Sequence, residues 1–294
     1  MDIKDYIKAV AAEVDAALER FLPSAERMPQ NLHKAMRYSV FAGGKRVRPV
    51  LAMAACDAVG GERQHVLAAA CAIEMIHTYS LIHDDLPAMD DDDFRRGQPT
   101  NHKVFGEANA ILAGDALLTE AFVLLANDSV DIDPEIRRQV IQIIARASGS
   151  AGMVGGQVVD MESEGKAIDL PLLEYIHIHK TGALIRAAIE VGALLGGADK
   201  EQLASLSRFG ELAGLAFQIA DDILDVTASQ EELGKDAGSD EARGKATYVS
   251  LLGLPQARQR ADELRGLALE SLNGFDVSAE PLRQIMKFII ERNS

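Results

Sequence analysis

Apolar residues recur along this chain at intervals of three and four, beginning with Ile3, Ile7, Val10, Val14 and Leu18, and that period belongs to helices rather than strands. Aromatics make up only 5% of the chain and Trp is absent, while Ala and Leu are abundant. The same spacing predicts helices over 31–42, 49–59, 62–83, 107–125, 134–164, 172–196, 201–227, 255–272 and 279–290. Pro49 suits a first helical turn. A chain of 294 residues, 48% of them apolar, buries a large core without covalent staples. No Pro-, Gly- or Ser-rich linker interrupts it, so the expectation is an all-α protein folded as a single large helical domain over residues 1–294. Two segments resist the helical reading, 86–102 with its prolines and acid run and 228–243, rich in Gly, Asp, Glu and Ser. Long loops in a compact helical domain are often functional.

The charge balance narrows the partners. Lys plus Arg number 30 against 45 Asp plus Glu, a net charge of −15 that disfavours nucleic acid and anionic membranes. The longest stretch without a charged residue, Ala147 to Val159, is Gly-rich and far short of the ~18 to 20 apolar residues of a membrane span, so no membrane partner is expected. Met1-Asp2-Ile3-Lys4-Asp5 opens a charged amphipathic pattern without an apolar signal core, and a cytoplasmic location is expected. Cys56 and Cys71 sit among alanines and read as small buried hydrophobes.

Two acidic clusters stand in apolar surroundings. His83-Asp84-Asp85-Leu86-Pro87-Ala88-Met89-Asp90 ends a core helix, and Gln218-Ile219-Ala220-Asp221-Asp222-Ile223-Leu224-Asp225 sets Asp221 and Asp225 four apart on one helical face. Like charges so placed repel, and more strongly where apolar neighbours lower the dielectric, unless a cation neutralises them. Oxygen-only donors select a hard cation, Mg²⁺ first, then Mn²⁺ or Ca²⁺. An EF-hand fits poorly, because a loop starting at Asp90 has Arg95 where the turn glycine belongs. Asp84 and Asp90 are six apart, on different faces of an unbroken helix; Pro87 disfavours helical geometry at Leu86, which predicts a break that returns Asp90 toward Asp84.

Mg²⁺ held by few carboxylates completes its shell with water and phosphate oxygens, and phosphate-binding cations accompany the acids. Gly43-Gly44-Lys45-Arg46-Val47-Arg48-Pro49 sets three cations after a glycine pair and before a helix, a plausible diphosphate cradle. Arg95-Arg96-Gly97 follows the first acid cluster, Lys180-Thr181-Gly182 comes later, and Lys235 and Lys245 stand in and just after the second loop. The stretch Gly238 to Gly244-Lys245-Ala246 lacks the spacing and the Ser or Thr of a P-loop, which points to a phosphate substrate other than a nucleotide.

Taken in order, these motifs resemble the trans-isoprenyl diphosphate synthases along essentially the whole chain. The resemblance implies the isoprenoid synthase fold, helices around a central cavity, and a reaction joining dimethylallyl or geranyl diphosphate to isopentenyl diphosphate, with farnesyl diphosphate and pyrophosphate as products. It implies three Mg²⁺ ions per site, replaceable by Mn²⁺, held by Asp84, Asp85, Asp90, Asp221 and Asp225. Arg95, Lys180, Gln218 and Lys235 would clamp the allylic diphosphate, with Thr181 and Lys245 as further binding residues. Lys45, Arg48, His77 and Arg96 would hold isopentenyl diphosphate. Departing pyrophosphate is the implied base, so no side-chain base is assigned. Tyr79 and Ser80 precede Asp84 by about one helical turn, where a growing tail would descend. In the family a large residue there accompanies shorter products, which favours farnesyl over geranylgeranyl diphosphate. The family is usually homodimeric.

Other readings fit the same sequence. A geranylgeranyl diphosphate synthase or a terpene cyclase would share the fold. Glu74-Met75-Ile76-His77 and Glu174-Tyr175-Ile176-His177 match the Glu-x-x-His spacing of helical di-iron oxidoreductases. A non-enzymatic helical scaffold with cation-neutralised faces is the third alternative.

Overall fold

The computed structural model describes residues 2–127, 131–227 and 245–291, and they are almost wholly helical. The helices are α1 (Ile3–Phe21), α2 (Gln30–Val40), α3 (Val47–Ala58), α4 (Arg63–Asp84), α5 (Asn101–Phe105), α6 (Glu107–Leu125), α7 (Pro134–Ser148), α8 (Met153–Ser163), α9 (Leu170–Ile176), α10 (Ala183–Leu195), α11 (Lys200–Thr227), α12 (Tyr248–Leu252), α13 (Leu254–Ser271) and α14 (Glu280–Glu291). A π-helical turn, His177–Gly182, joins α9 to α10. The strands are β1 (Phe94–Arg95) and β2 (Gln98–Pro99), paired antiparallel in a hairpin.

Local chemistry sets the ends of these elements. Asp2 caps α1 by accepting from Lys4 N–H, and Asp169 caps α9 by accepting from Leu172 N–H. Thr247 and Ser250 form a reciprocal capping box at the start of α12.

The chain divides into two compact units, Met1–Val50 with Gln64–Ile141 and Leu51–Arg63 with Gln142–Ser294. In the first, α2, α5 and α6 pack together. The buried face of α4 runs through Ile73, Met75, Ile76, Tyr79 and Ile82. The core of the second unit is α11, which packs against α10, α12, α13, α14 and the π turn. Two helices, α4 and α6, reach the length and mean hydropathy of a membrane span. The window in α4 is 67% buried in protein, as in a core helix, whereas that in α6 is 39% buried.

The helical period located most elements within a few residues. It failed over 134–164, expected as one helix. There α7 stops at Ser148 and α8 starts at Met153, because Gly149 and Gly152 occupy a turn whose backbone leaves the helical region. The π turn was not expected either, since one extra residue per turn leaves no mark on an apolar pattern.

Candidate active site

The first acid cluster is shaped by the end of α4. The helix stops at Asp84, and the chain turns so that Asp90 N–H donates to Asp84 O at 2.8 Å and Asp91 N–H donates to Leu86 O. The break expected at Leu86-Pro87 is this turn, with Asp91 at φ 51°. Asp84 and Asp90 are half-buried, while Asp85 is 3% exposed. Arg95 reaches Asp85 Oδ1 with Nε at 2.7 Å and Nη2 at 2.6 Å, and lies 3.6 Å from Asp92. Burial pushes the Asp85 carboxyl above its ordinary range, and Arg95 offsets only part of that. The β1–β2 hairpin delivers Arg95. Its base is closed by Thr100, whose hydroxyl donates to Asp92 O at 2.8 Å.

Basic groups converge in the same unit. Arg96 donates to the Gly43 carbonyl. Asp85, Arg95, Arg96 and Thr78 line one small cavity of about 30 Å³. His77 is half-buried; its burial, followed by the Arg48, Arg96, Arg95 and Arg46 guanidiniums, holds the imidazole pKa well below 6.5. Such a cationic neighbourhood around a neutral histidine suits an incoming anion. Lys45 is exposed and Arg48 half-buried.

Arg46 corrects the expectation of a three-cation cradle. It is 3% exposed and turned inward, donating to Glu74 Oε1 and Asp15 Oδ1 at 2.8 Å and to the Val40 carbonyl at 2.6 Å. The same contact removes Glu74 from the di-iron reading, because its carboxylate is committed to a buried guanidinium. Tyr79 is 6% exposed, its phenol pKa raised by burial and by Asp84, and the Ser80 hydroxyl donates to the His77 carbonyl at 2.8 Å.

The second unit carries the other motifs. Lys180 and Thr181 lie in the π turn, an irregularity that frequently marks functional sites. Gly156 of α8 makes room for that turn: a Cβ there would sit 2.7 Å from Lys180 Cα. Lys180 Nζ lies 2.5 Å from Asp160 Oδ2, and Lys245 Nζ lies 3.8 Å from the same oxygen. Burial opposes ionisation of Asp160, but Lys180, Lys245 and His177 together hold its pKa below the usual range. Sequence reasoning missed Asp160, because it is far from either lysine along the chain.

On α11, Gln218 and Asp221 are half-buried and Asp225 is 4% exposed. Asp222 behaves differently. Its Oδ2 accepts from Tyr248 N–H at 2.8 Å and lies 3.3 Å from His177 Nε2, tying α11 to α12 and to the π turn. Tyr248 is fully buried, stacks on His177 and donates its hydroxyl to Glu174 Oε1 at 2.8 Å, so the second Glu-x-x-His pair is also spent on internal bonds. Lys235 and the 228–243 loop lie outside the described residues, apart from which every predicted site residue is placed.

Two further features were not anticipated. Asp91, Asp93 and His102 offer ligand atoms within 4.8 Å of one another, with Lys103 Nζ 2.6 Å from Asp93. A cavity of about 760 Å³ in the second unit is lined by Arg146, Arg186, Arg208, Leu212 and Leu264 among others, and by none of the predicted site residues.

The donors of both acid clusters are carboxylate oxygens, those of the first drawn together by one turn, and this set suits Mg²⁺. Comparison with known proteins agrees with the chemistry. A family model for polyprenyl synthetase matches residues 29–273. Farnesyl diphosphate synthase of Geobacillus stearothermophilus is 48% identical over 294 residues, covering 100% of this chain and 99% of its own. A chloroplastic geranylgeranyl pyrophosphate synthase of Capsicum annuum is also 48% identical, over 295 residues, covering 100% of this chain and 79% of its own. The crystal structure of an FPP/GFPP synthase from Zymomonas mobilis superposes with a TM-score of 0.88 at 41% identity, covering 98% of this chain and 99% of that one. With a match of this extent, the chain belongs to the polyprenyl synthetase family.

Proposed function

We propose that this protein is a farnesyl diphosphate synthase, extending dimethylallyl diphosphate and then geranyl diphosphate with isopentenyl diphosphate. The observation that carries the chain length is Tyr79, a bulky side chain buried on α4 one turn before Asp84. Relatives of equal identity are named for both farnesyl and geranylgeranyl products, so a geranylgeranyl diphosphate synthase is the second reading.

In this account Asp84, Asp85, Asp90, Asp221 and Asp225 hold three Mg²⁺ ions, replaceable by Mn²⁺. Bound Mg²⁺ supplies positive charge to the leaving pyrophosphate. Arg95, Lys180, Gln218 and Lys235 bind the allylic diphosphate, with Thr181 and Lys245 beside them. Arg95 then exchanges Asp85 Oδ1, which takes both its Nε and its Nη2, for phosphate oxygens. Lys45, Arg48, His77 and Arg96 orient isopentenyl diphosphate so that its double bond attacks the allylic carbon as the C–O bond breaks. The proton lost from the new C–C unit passes to pyrophosphate. Apolar side chains exclude water, which would otherwise capture the cation. The protein acts as one catalytic domain over residues 1–294, as a cytoplasmic homodimer.

The test is a reaction with Mg²⁺, dimethylallyl diphosphate and isopentenyl diphosphate, with the products separated by chromatography after removal of the diphosphate. Farnesol as the main alcohol is expected. Geranylgeraniol as the main alcohol would select the second reading, and no prenyl alcohol longer than the substrate would overturn both.

A further inference from the structure

Tyr79 does not set its own position. Four residues on, His83 lies on the same face of α4, and its ring meets Tyr79 edge to face, with centroids 5.7 Å apart and planes at 79°. His83 is in turn fixed from α6. Its Nε2 lies 3.0 Å from the Ile111 carbonyl, which can only accept, so Nε2 carries the proton in that bond. The ring occupies the space over Gly114, where a Cβ would sit 2.5 Å from His83 Cδ2 and closer still to Nε2. No residue larger than glycine fits at 114 with the His83 ring in this place, and the ring cannot leave without giving up both Tyr79 and the Ile111 carbonyl.

We propose that His83 and Gly114 are positioning residues for product length, a lock by which α6 holds the Tyr79 ring across the path of the growing chain. The proposal rests on Tyr79 being the floor of that path. Tyr79 supplies the bulk. Gly114 admits the His83 ring, the ring pins Tyr79, and a tyrosine so held in one rotamer stops elongation where a free one swings aside. Elongation past the farnesyl stage is then controlled from α6, by a glycine that acts through the His83 ring.

Four chains test it: the natural sequence, Gly114→Ala, His83→Ala and the double variant, each assayed for the ratio of geranylgeranyl to farnesyl product, with Tyr79→Ala as the control for the floor. Both single variants are expected to raise that ratio by about 2- to 10-fold, the range given by loss of one edge-to-face aromatic contact. The double variant is expected to match His83→Ala alone, because an alanine at 114 has no ring to displace once His83 is gone. A general loosening of the fold would instead compound in the double variant and leave the product ratio where it was. His83→Ala adds no volume and so stands even where Gly114→Ala fails to fold. An unchanged ratio in His83→Ala, or single effects that multiply in the double variant, overturns the lock while a longer product from Tyr79→Ala keeps the floor. An unchanged product from Tyr79→Ala removes the floor and the lock together.

Discussion

Lys180 and Lys245 share one carboxylate oxygen, Asp160 Oδ2, at 2.5 Å and 3.8 Å. Two ammonium groups proposed to bind diphosphate are thereby gathered by an anion that precedes both of them in sequence. Asp160→Asn takes away the carboxylate the two ammonium groups share, with Glu164 standing 3.8 Å from Lys245. The variant is expected to lose about 1.5–3 kcal/mol of stability, the worth of hydrogen bonds to charged groups. Adding Mg²⁺ and pyrophosphate should narrow the gap in melting temperature, since the ligand restores the missing negative charge. A gap that ligand leaves unchanged would remove the lysines from the diphosphate site. The Asp160 pKa lies below the ordinary 3.8, so this contribution is present above that pH and lost as the pH falls through the folded value.

His77 gives a second handle on pH, of the same sign but in the window beneath 6.5. Its pKa is depressed well below 6.5, so the unfolded chain binds a proton that the folded one refuses. Stability therefore rises with pH across the window beneath 6.5 and falls on acidification through it. His77→Gln should flatten that limb of the stability profile. Pyrophosphate should flatten it in the natural protein: burial and then the arginines hold the imidazole neutral, and the anion offsets the arginines. An acid limb identical with and without pyrophosphate would separate His77 from the anion site.

Asp221, Asp222 and Asp225 are alike in sequence and unlike in work. Asp222→Ala strands the buried Tyr248 N–H and is expected to cost about 1–3 kcal/mol for that group alone, read by denaturant titration. Asp221→Ala and Asp225→Ala should leave the denaturation midpoint close to its original value while reducing turnover by at least a hundredfold, the size of effect that removal of one electrostatic stabiliser produces. A stable Asp222→Ala protein, or a destabilised but active Asp221→Ala protein, would reverse these assignments.

The Arg46–Glu74 pair supplies a structural contrast. Both side chains are almost wholly buried, and Glu74→Ala leaves a guanidinium with Asp15 as its remaining carboxylate partner. The expected loss is about 3–5 kcal/mol, the cost of breaking a buried pair from one side. A change under 1 kcal/mol would place Arg46 back among the cradle cations.

What the sequence revealed follows from which interactions are local. Helices such as α6 and α11 were legible because their apolar period is written in consecutive residues, and the acid pair Asp221 and Asp225 because a four-residue spacing fixes a shared face. The turn after Asp84 was legible through Pro87. The role of Asp222 was not: the spacing sets it on a different face from Asp221 and Asp225, but only the approach of Tyr248 and His177 shows what it does there. Arg46 looked like Lys45 and Arg48 until its backbone, at φ 50°, turned it toward Asp15 and Glu74. Asp160 and Gly114 were silent for the same reason: each matters through a partner brought close by folding, Lys180 in one case and His83 in the other.

The most direct test of prenyl transfer counts pyrophosphate and identifies product in one reaction, with and without isopentenyl diphosphate. Starting from dimethylallyl diphosphate with Mg²⁺, we expect two pyrophosphates for each farnesyl diphosphate formed, and neither when isopentenyl diphosphate is omitted or when Asp84 is replaced by Ala. Pyrophosphate released from an allylic diphosphate alone, with a cyclised or hydrolysed product and no new carbon–carbon bond to isopentenyl diphosphate, would contradict it.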